Sequence, residues 1–419
     1  MMESRQVQFQ NLDMMSSLPP NVIDVILTCL PLRDAVRTSI LSRDWRYKWV
    51  TIPHLTFDER SFPTLADYSE LNELKLINAV DQVLLLHKGP VHEFKCQIYL
   101  ESCPAIDRWL LHLSDNAVKS FTLDNLRLER YKLPSCLFRY ENLIHLQVSW
   151  CIFKPPRKFD GLRNLRTLHL QDISIDSSFE DFISKFPLLE ALTLRNFDGL
   201  TCLNIQGPQL LYLDIVGKLK YLHFKNIPLV ATALINMMSV NDYEKGKDSN
   251  LINVVGCLHG VKRLALEGFL LQFLAAGNVP ERLPTMYNHL KNLTLKINFE
   301  NLDQLSVVLC LCRSSPNLYE INAKVHSIDA ASLPHESFWE VQEGFDGLFA
   351  SLQIVTVNGI IGSKNELGFI EFVLENAPML EEMNFKISAT VTEAQSRIFR
   401  DLMGFRRASP QARIICLGK

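Results

Sequence analysis

One spacing recurs along this 419-residue chain and constrains it more than any other feature. It is an apolar residue, two variable residues, a second apolar residue, one variable residue and a third apolar residue. It reads "LIHLQV" at Leu143–Val148, "LRTLHL" at Leu165–Leu170, "LEALTL" at Leu189–Leu194, "VKRLAL" at Val261–Leu266 and "LKNLTL" at Leu290–Leu295. Weaker copies are "VKSFTL" from Val118, "LYEINA" from Leu318, "LQIVTV" from Leu352 and "LEEMNF" from Leu380. Starts at 143, 165 and 189 are 22 and 24 residues apart, and from 261 onward the gaps are 29, 28, 34 and 28. The array is therefore irregular, with periods that mark repeat architectures.

Side chains alternate across a strand, so the fourth and sixth positions share one face and the residues beside them share the other. In "LRTLHL" the leucines face a core and Thr167 and His169 face outward. One such strand buries its leucines only against its neighbours, so no single repeat folds alone. The outward set is His145, Gln147, Thr167, His169, Gln171, Thr193, Arg195, Arg263, Glu267, Thr294, Lys296, Glu320, Lys324, Glu382 and Lys386. Concave faces of repeat arrays are extended binding surfaces, which makes this set the candidate contact surface. Its charges are of both signs, which suits a folded protein or a peptide better than a polyphosphate backbone. Arg195 and Arg263 are the expected anchors, because arginine is enriched at binding hot spots.

A longer register supports the array. "FISKFPLLEALTL", "LCRSSPNLYEINA" and "VLENAPMLEEMNF" each place an apolar helical run before Pro187, Pro316 or Pro378, with a strand expected two residues later. Proline disfavours helix in the residue before it, so it stops the helix and turns the chain. One helix and one strand per unit is the leucine-rich-repeat arrangement, an α/β solenoid. Between Leu200 and Phe224 the spacing shortens to about ten residues, leaving room for a strand and a turn but no helix. "VNDYEKGKDSN", Val240–Asn250, is polar and aperiodic, an expected exposed loop.

Composition excludes several classes. The net charge of −3 argues against a nucleic-acid coat or a polybasic membrane anchor. "MMESRQVQFQNLDMM" at the start has no apolar h-region, and "GFLLQFLAAG", Gly268–Gly277, is about half a membrane span. The ten cysteines are scattered without zinc spacing, which points to reduced, mostly buried thiols, with no metal and no cofactor expected. No GxGxxG, GxxxxGK[ST], GxSxG or HExxH occurs. "GIIGSKNELG", Gly359–Gly368, has some likeness to a phosphate loop, but no Gly-Lys-Ser/Thr triplet opens a helix there. "KPPRK" at Lys154 and "FRR" at Phe405 read as solvated basic faces. Nothing here points to an enzyme.

The N-terminal segment is different in kind. In "LPPNVIDVILTCL" the prolines suit a helix start. Val22, Ile26 and Cys29 then fall on one side, and Ile23, Leu27 and Leu30 on the adjacent one. So wide an apolar arc on a ten-residue helix exceeds what its own small domain covers, and a protein partner accounts for the surplus. "LRDAVRTSIL" is expected as a second helix carrying Leu32, Val36, Ile40 and Leu41. "SRDWRYKW" is expected as a third, capped by Ser42, with Trp45 and Trp49 in its core.

Residues 16–59, "SSLPPNVIDVILTCLPLRDAVRTSILSRDWRYKWVTIPHLTFDE", resemble the F-box of the large plant F-box/LRR-repeat family. The likeness lies in Leu18-Pro19, Leu30-Pro31, "DAVRTSILSRDWRYKW" and "PHLTFD". Phe372–Leu417 is more loosely similar to the family's FBD region, through "LENAPMLEEM" and "RRASP". The resemblance implies a tail at 1–15, an F-box at 16–60, leucine-rich repeats at 61–345 and an FBD-like region at 346–419. It also implies a non-catalytic substrate receptor of an SCF (Skp-cullin-F-box) ubiquitin ligase, in the nucleus or the cytoplasm. A scaffold without ligase activity is the other role it allows. The F-box would dock on a Skp-type adaptor, and through it on cullin and RING subunits, using Leu18, Pro19, Ile23, Ile26, Leu30, Leu32 and Val36. The open strand face would hold a protein target. "VTIPHLTFDERSF", Val50–Phe62, has no glycine and is expected to run stiffly from one part to the other.

Overall fold

A computed structural model describes residues 18–62, 70–98, 104–125, 130–156, 158–175, 183–238, 249–326, 338–339, 347–389, 391 and 395–417. The expected tail at 1–15 and residues 240–248 of the expected polar loop lie outside them. The chain forms two units, Met1–Leu162 and Arg163–Lys419.

The first unit opens with helix α1, Pro20–Cys29, started by Pro19, whose carbonyl accepts the amides of Val22 and Ile23. Pro31 turns the chain into α2, Leu32–Arg37, which tightens into a 3-10 turn at Thr38–Ile40. The expected third helix does not form. Ser42 Oγ does accept the Trp45 amide at 3.3 Å, but turns follow, and then a 3-10 segment at Lys48–Thr51. Eight residues repay helix nucleation poorly, and each tryptophan instead seats separately in the interior. Trp45 and Trp49 are buried, as are Ile23, Leu27, Leu32, Ala35 and Val50.

Four parallel strands follow: β1, His54–Phe57; β2, Glu93–Ile98; β3, Ser120–Asn125; and β5, His145–Ser149, hydrogen-bonded in that order. Helices α3, Glu70–Leu86, and α4, Pro104–Leu113, link the first three. Short strands β4, Tyr131–Lys132, and β6, Cys151–Phe153, pair behind them. From strand to strand, Phe57 packs tilted against Phe94 at 5.6 Å and Phe94 stacks on Phe121 at 5.8 Å between ring centroids. The Val50–Phe62 stretch has no flexible spacer and is already part of this sheet. Lys88 N donates to Val50 O, and the amides of His92 and Glu93 donate to Pro53 O.

In the second unit, parallel strands β7, Thr167–Gln171; β9, Ala191–Arg195; β11, Tyr212–Gly217; and β13, Thr232–Met237, pair in sequence. β8, Ser174–Ile175, makes a bridge to Asp198. β10, Cys202–Gln206, and β12, Tyr221–Lys225, pair only with each other. The ten-residue spacing is therefore divided between two sheets, and strands occupy the back where other repeats place helices. From there helices return: α5, Asn250–Val255; β14, Arg263–Gly268; α6, Leu270–Leu274; β15, Asn292–Ile297; α7, Leu302–Arg313; and β16, Glu320–Val325. The chain closes with β17, Ile354–Ile360; α8, Lys364–Asn376; β18, Glu382–Ile387; α9, Gln395–Gly404; and β19, Arg413–Cys416.

Register aligns the fourth positions in one column, from Leu168 and Leu192 through Leu264 and Leu293 to Val355 and Met383. The sixth positions form a second column beside it. Both columns are buried, and each leucine contributes about 1.5–3 kcal/mol. The ladder begins four residues after Pro187, Pro316 and Pro378, at Ala191, Glu320 and Glu382, not two. Leu189, Leu318 and Leu380 are buried in the corner between helix or turn and strand. Asp172, Asn196 and Asn226 leave their strands with φ of 51–54°, a left-handed turn these side chains tolerate.

Candidate interaction surfaces

The helical piece buries one stripe of α1 and leaves another bare. Ile23 is 3% exposed and Leu27 1%, while Val25 is 62% exposed and Val22, Cys29 and Leu30 also face solvent. Beyond α2, Ile40 is 86% exposed, with Leu41 and Tyr47 also out. Of the residues expected to meet an adaptor, Pro19 and Leu30 are exposed, and Leu18, Ile26 and Val36 are half-buried. Ile23 and Leu32 are corrected: at 3% and 5% exposure they fill the interior and have no surface to offer. Val22, Ile40 and Leu41 add to the bare apolar surface, and Val25 and Tyr47 enlarge it beyond what spacing singled out. Ile40 and Leu41, expected within the second helix, lie past the end of α2.

No residue expected on the open strand face is buried, whereas the fourth- and sixth-position residues that alternate with them are. His145 and Gln147 lie in the first unit; Thr167, His169, Gln171, Thr193, Arg195, Arg263, Glu267, Thr294, Lys296, Glu320, Lys324, Glu382 and Lys386 lie in the second. Several of them already have partners within the fold. Arg195 donates to Asp214 Oδ2 through Nε at 3.0 Å and Nη2 at 2.5 Å, and Tyr212 Oη donates to the same oxygen at 3.3 Å. Asp214 is 2% exposed, so Arg195 is first its counter-ion, and this contact keeps the guanidinium more firmly protonated. Burial, and then Asp214, push the Tyr212 phenol up. Asp214 and Tyr212 went unremarked in the sequence because only the strand register brings them to Arg195. Lys324 Nζ meets Glu267 Oε1 at 2.5 Å, Asn292 donates to Glu320 at 2.6 Å, and Arg413 pairs with Glu382 at 3.0 Å. Arg263 is exposed and has no ion pair among the described residues.

The glycine-rich loop is filled from within. Glu366 Oε2 accepts the amides of Ile361, Gly362 and Ser363 at 2.9, 2.8 and 3.2 Å, while Ser363 Oγ caps α8 through the Glu366 amide. The cradle that would hold an anion holds this chain's own carboxylate. Burial pushes the Glu366 carboxyl up, and its three amide donors oppose that. Burial likewise raises the Cys310 and Cys312 thiols, to about 11 and about 12, far from a reactive thiolate. Cys96, Cys151, Cys310 and Cys312 are buried; Cys29 and Cys416 are exposed. Among the described residues no group of three or more His, Cys, Asp or Glu is placed to hold a metal, and no helix is long and apolar enough to cross a membrane. The arrangement is suited to binding.

Three family models match stretches of the chain. An F-box domain model matches residues 15–54, a model described as FBD-associated F-box protein At5g56370, LRR repeats, matches 106–322, and an FBD model matches 347–385. F-box/FBD/LRR-repeat protein At1g13570 of Arabidopsis thaliana is 36% identical over 97% of this chain and 98% of its own length. F-box/LRR-repeat protein 13 and F-box/FBD/LRR-repeat protein At5g22660, from the same plant, are 23% and 24% identical over at least 96% of both chains. The bare helical surface, the leucine columns and the C-terminal strands are thus the three parts of one known arrangement, and the chain belongs to the F-box/FBD/LRR-repeat family.

Proposed function

We propose that this chain is the substrate-recognition subunit of an SCF-type ubiquitin ligase. The observation that carries the reading is the uncovered apolar surface around Val22, Val25, Ile26, Leu30 and Ile40, on the segment that matches the F-box. Monomeric proteins seldom leave such a patch bare, and a Skp-type adaptor is the partner an F-box calls for. The strand face holds a protein target, and the adaptor brings cullin and RING subunits with a charged conjugating enzyme. This chain contributes position and no chemistry, raising the effective concentration of target lysines at the thioester.

Co-purification tests the reading. Wild-type chain should capture the adaptor and assemble with cullin, and Ile26→Asp with Leu30→Asp should lose capture with its circular dichroism unchanged. Undiminished capture by a folded double variant would overturn the interface. Cullin assembly without target turnover on induction would favour a scaffold.

A further inference from the structure

On strands β15–β18 the open face is ordered in three columns. Thr294, Asn322, Thr356 and Asn384 are Cα partners in succession, an alternating Thr-Asn column with no charge. On one side lie Lys296, Lys324, Asn358 and Lys386, and on the other Asn292, Glu320, Ile354 and Glu382. Lys324 is paired with Glu267, but Lys296 and Lys386 meet no carboxylate among the described residues. Across the face, Glu382 is neutralised by Arg413, and Glu320 takes only a neutral amide. One edge is thus cationic and the other mildly anionic. Neutral His326 belongs to the cationic edge: burial, and then the Lys296 charge, hold its imidazole below the usual range.

The middle column has unused hydrogen-bonding capacity. Asn358 donates to Asn322 Oδ1 and Asn384 donates to Glu382, both at 3.3 Å. That leaves Asn322 Nδ2, Asn384 Oδ1 and the Thr294 and Thr356 hydroxyls without a side-chain partner among the described residues. Strands about 4.8 Å apart give the column a length of about 14 Å, roughly four residues of extended chain.

We propose that β15–β18 take an extended acidic peptide segment of the target, laid across the strands, its backbone on the Thr-Asn column and its carboxylates toward Lys296 and Lys386. This rests on the receptor reading and names the chemistry its target presents. A nucleic acid fits worse, since a phosphate backbone on the same face would meet the Glu320 carboxylate, which has only a neutral amide on it.

The test pans a random dodecapeptide phage library on the full-length chain, at low and at high salt. Enriched sequences should carry clustered Asp and Glu. A synthetic peptide chosen from them should bind roughly tenfold more weakly to Lys296→Glu/Lys386→Glu. Adaptor capture should not change. Should that variant misfold, Lys296→Gln/Lys386→Gln reads the same loss at roughly threefold. Enrichment without an acidic bias, equal affinity for a folded double variant, or tighter binding of a poly(dT) oligonucleotide would overturn the inference. Failure of the wild-type chain to capture the adaptor would break the receptor reading, with the peptide result still deciding this one.

Discussion

The helical piece at Leu18–Thr51 and the strand face of β7–β19 are both open to solvent, yet they are built in opposite ways. The first exposes aliphatic side chains that have nothing to pack on. The second presents charges of which some are paired and others, Arg263, Lys296 and Lys386, meet no carboxylate among the described residues. Covering an apolar surface is favourable with any partner of matching shape, so it supplies affinity with modest discrimination. A polar face that is partly paired repays only a ligand whose charges and hydrogen bonds match the groups left open, which supplies specificity. The receptor proposed above, with one constant partner and one particular target, needs this division.

The comparison can be strained at both ends. The largest effect is expected within α1. Ile23→Asp would bury an unpaired carboxylate and should cost about 4 kcal/mol in denaturant unfolding, whereas Ile26→Asp, three residues on, should cost under about 1 kcal/mol. Equal costs would mean that α1 does not separate an inner from an outer stripe. The middle effect belongs to the strand face. Arg195→Ala would strip the buried Asp214 of its counter-ion and should cost about 1–2 kcal/mol, allowing for an arginine that is half exposed. The smallest is Arg263→Ala, within about 0.5 kcal/mol in the same melts. Arg263 is therefore the cleaner probe of target capture: Arg195 was an expected anchor too, but its removal would perturb the fold as well as the surface.

Much of this was legible in the chain, and the remainder was lost for identifiable reasons. Leucine spacing located the columns, and alternation placed the outward residues correctly. β1 and β2 were passed over although Ile52, Leu55 and Phe57, and Val91, Phe94 and Cys96, repeat the same spacing and are all buried. Their apolar residues are mostly not leucine. The division of the ten-residue repeats between two sheets is invisible locally, because β10 and β11 carry the same apolar alternation. Likewise Ser42 and the tryptophan pair spell a helix that tertiary seating overrides. A wide apolar arc does not say which half closes the interior, and so Ile23 and Leu32 were given to the surface. The Arg195–Asp214 pair needed the register of two strands, which no single segment encodes.

The continuity of chain from Trp49 into β1 decides where this protein can be cut. An F-box fragment ending near residue 54, where the domain match stops, would carry away the start of β1. The remaining repeats would begin on a shortened β1, Leu55–Phe57, as a frayed outer strand over β2. They would also lack the Pro53 carbonyl that accepts from His92 and Glu93. Open strand edges recruit other strands, so a repeat-only fragment begun there would aggregate. Soluble fragments must keep the helical piece with the sheet it starts.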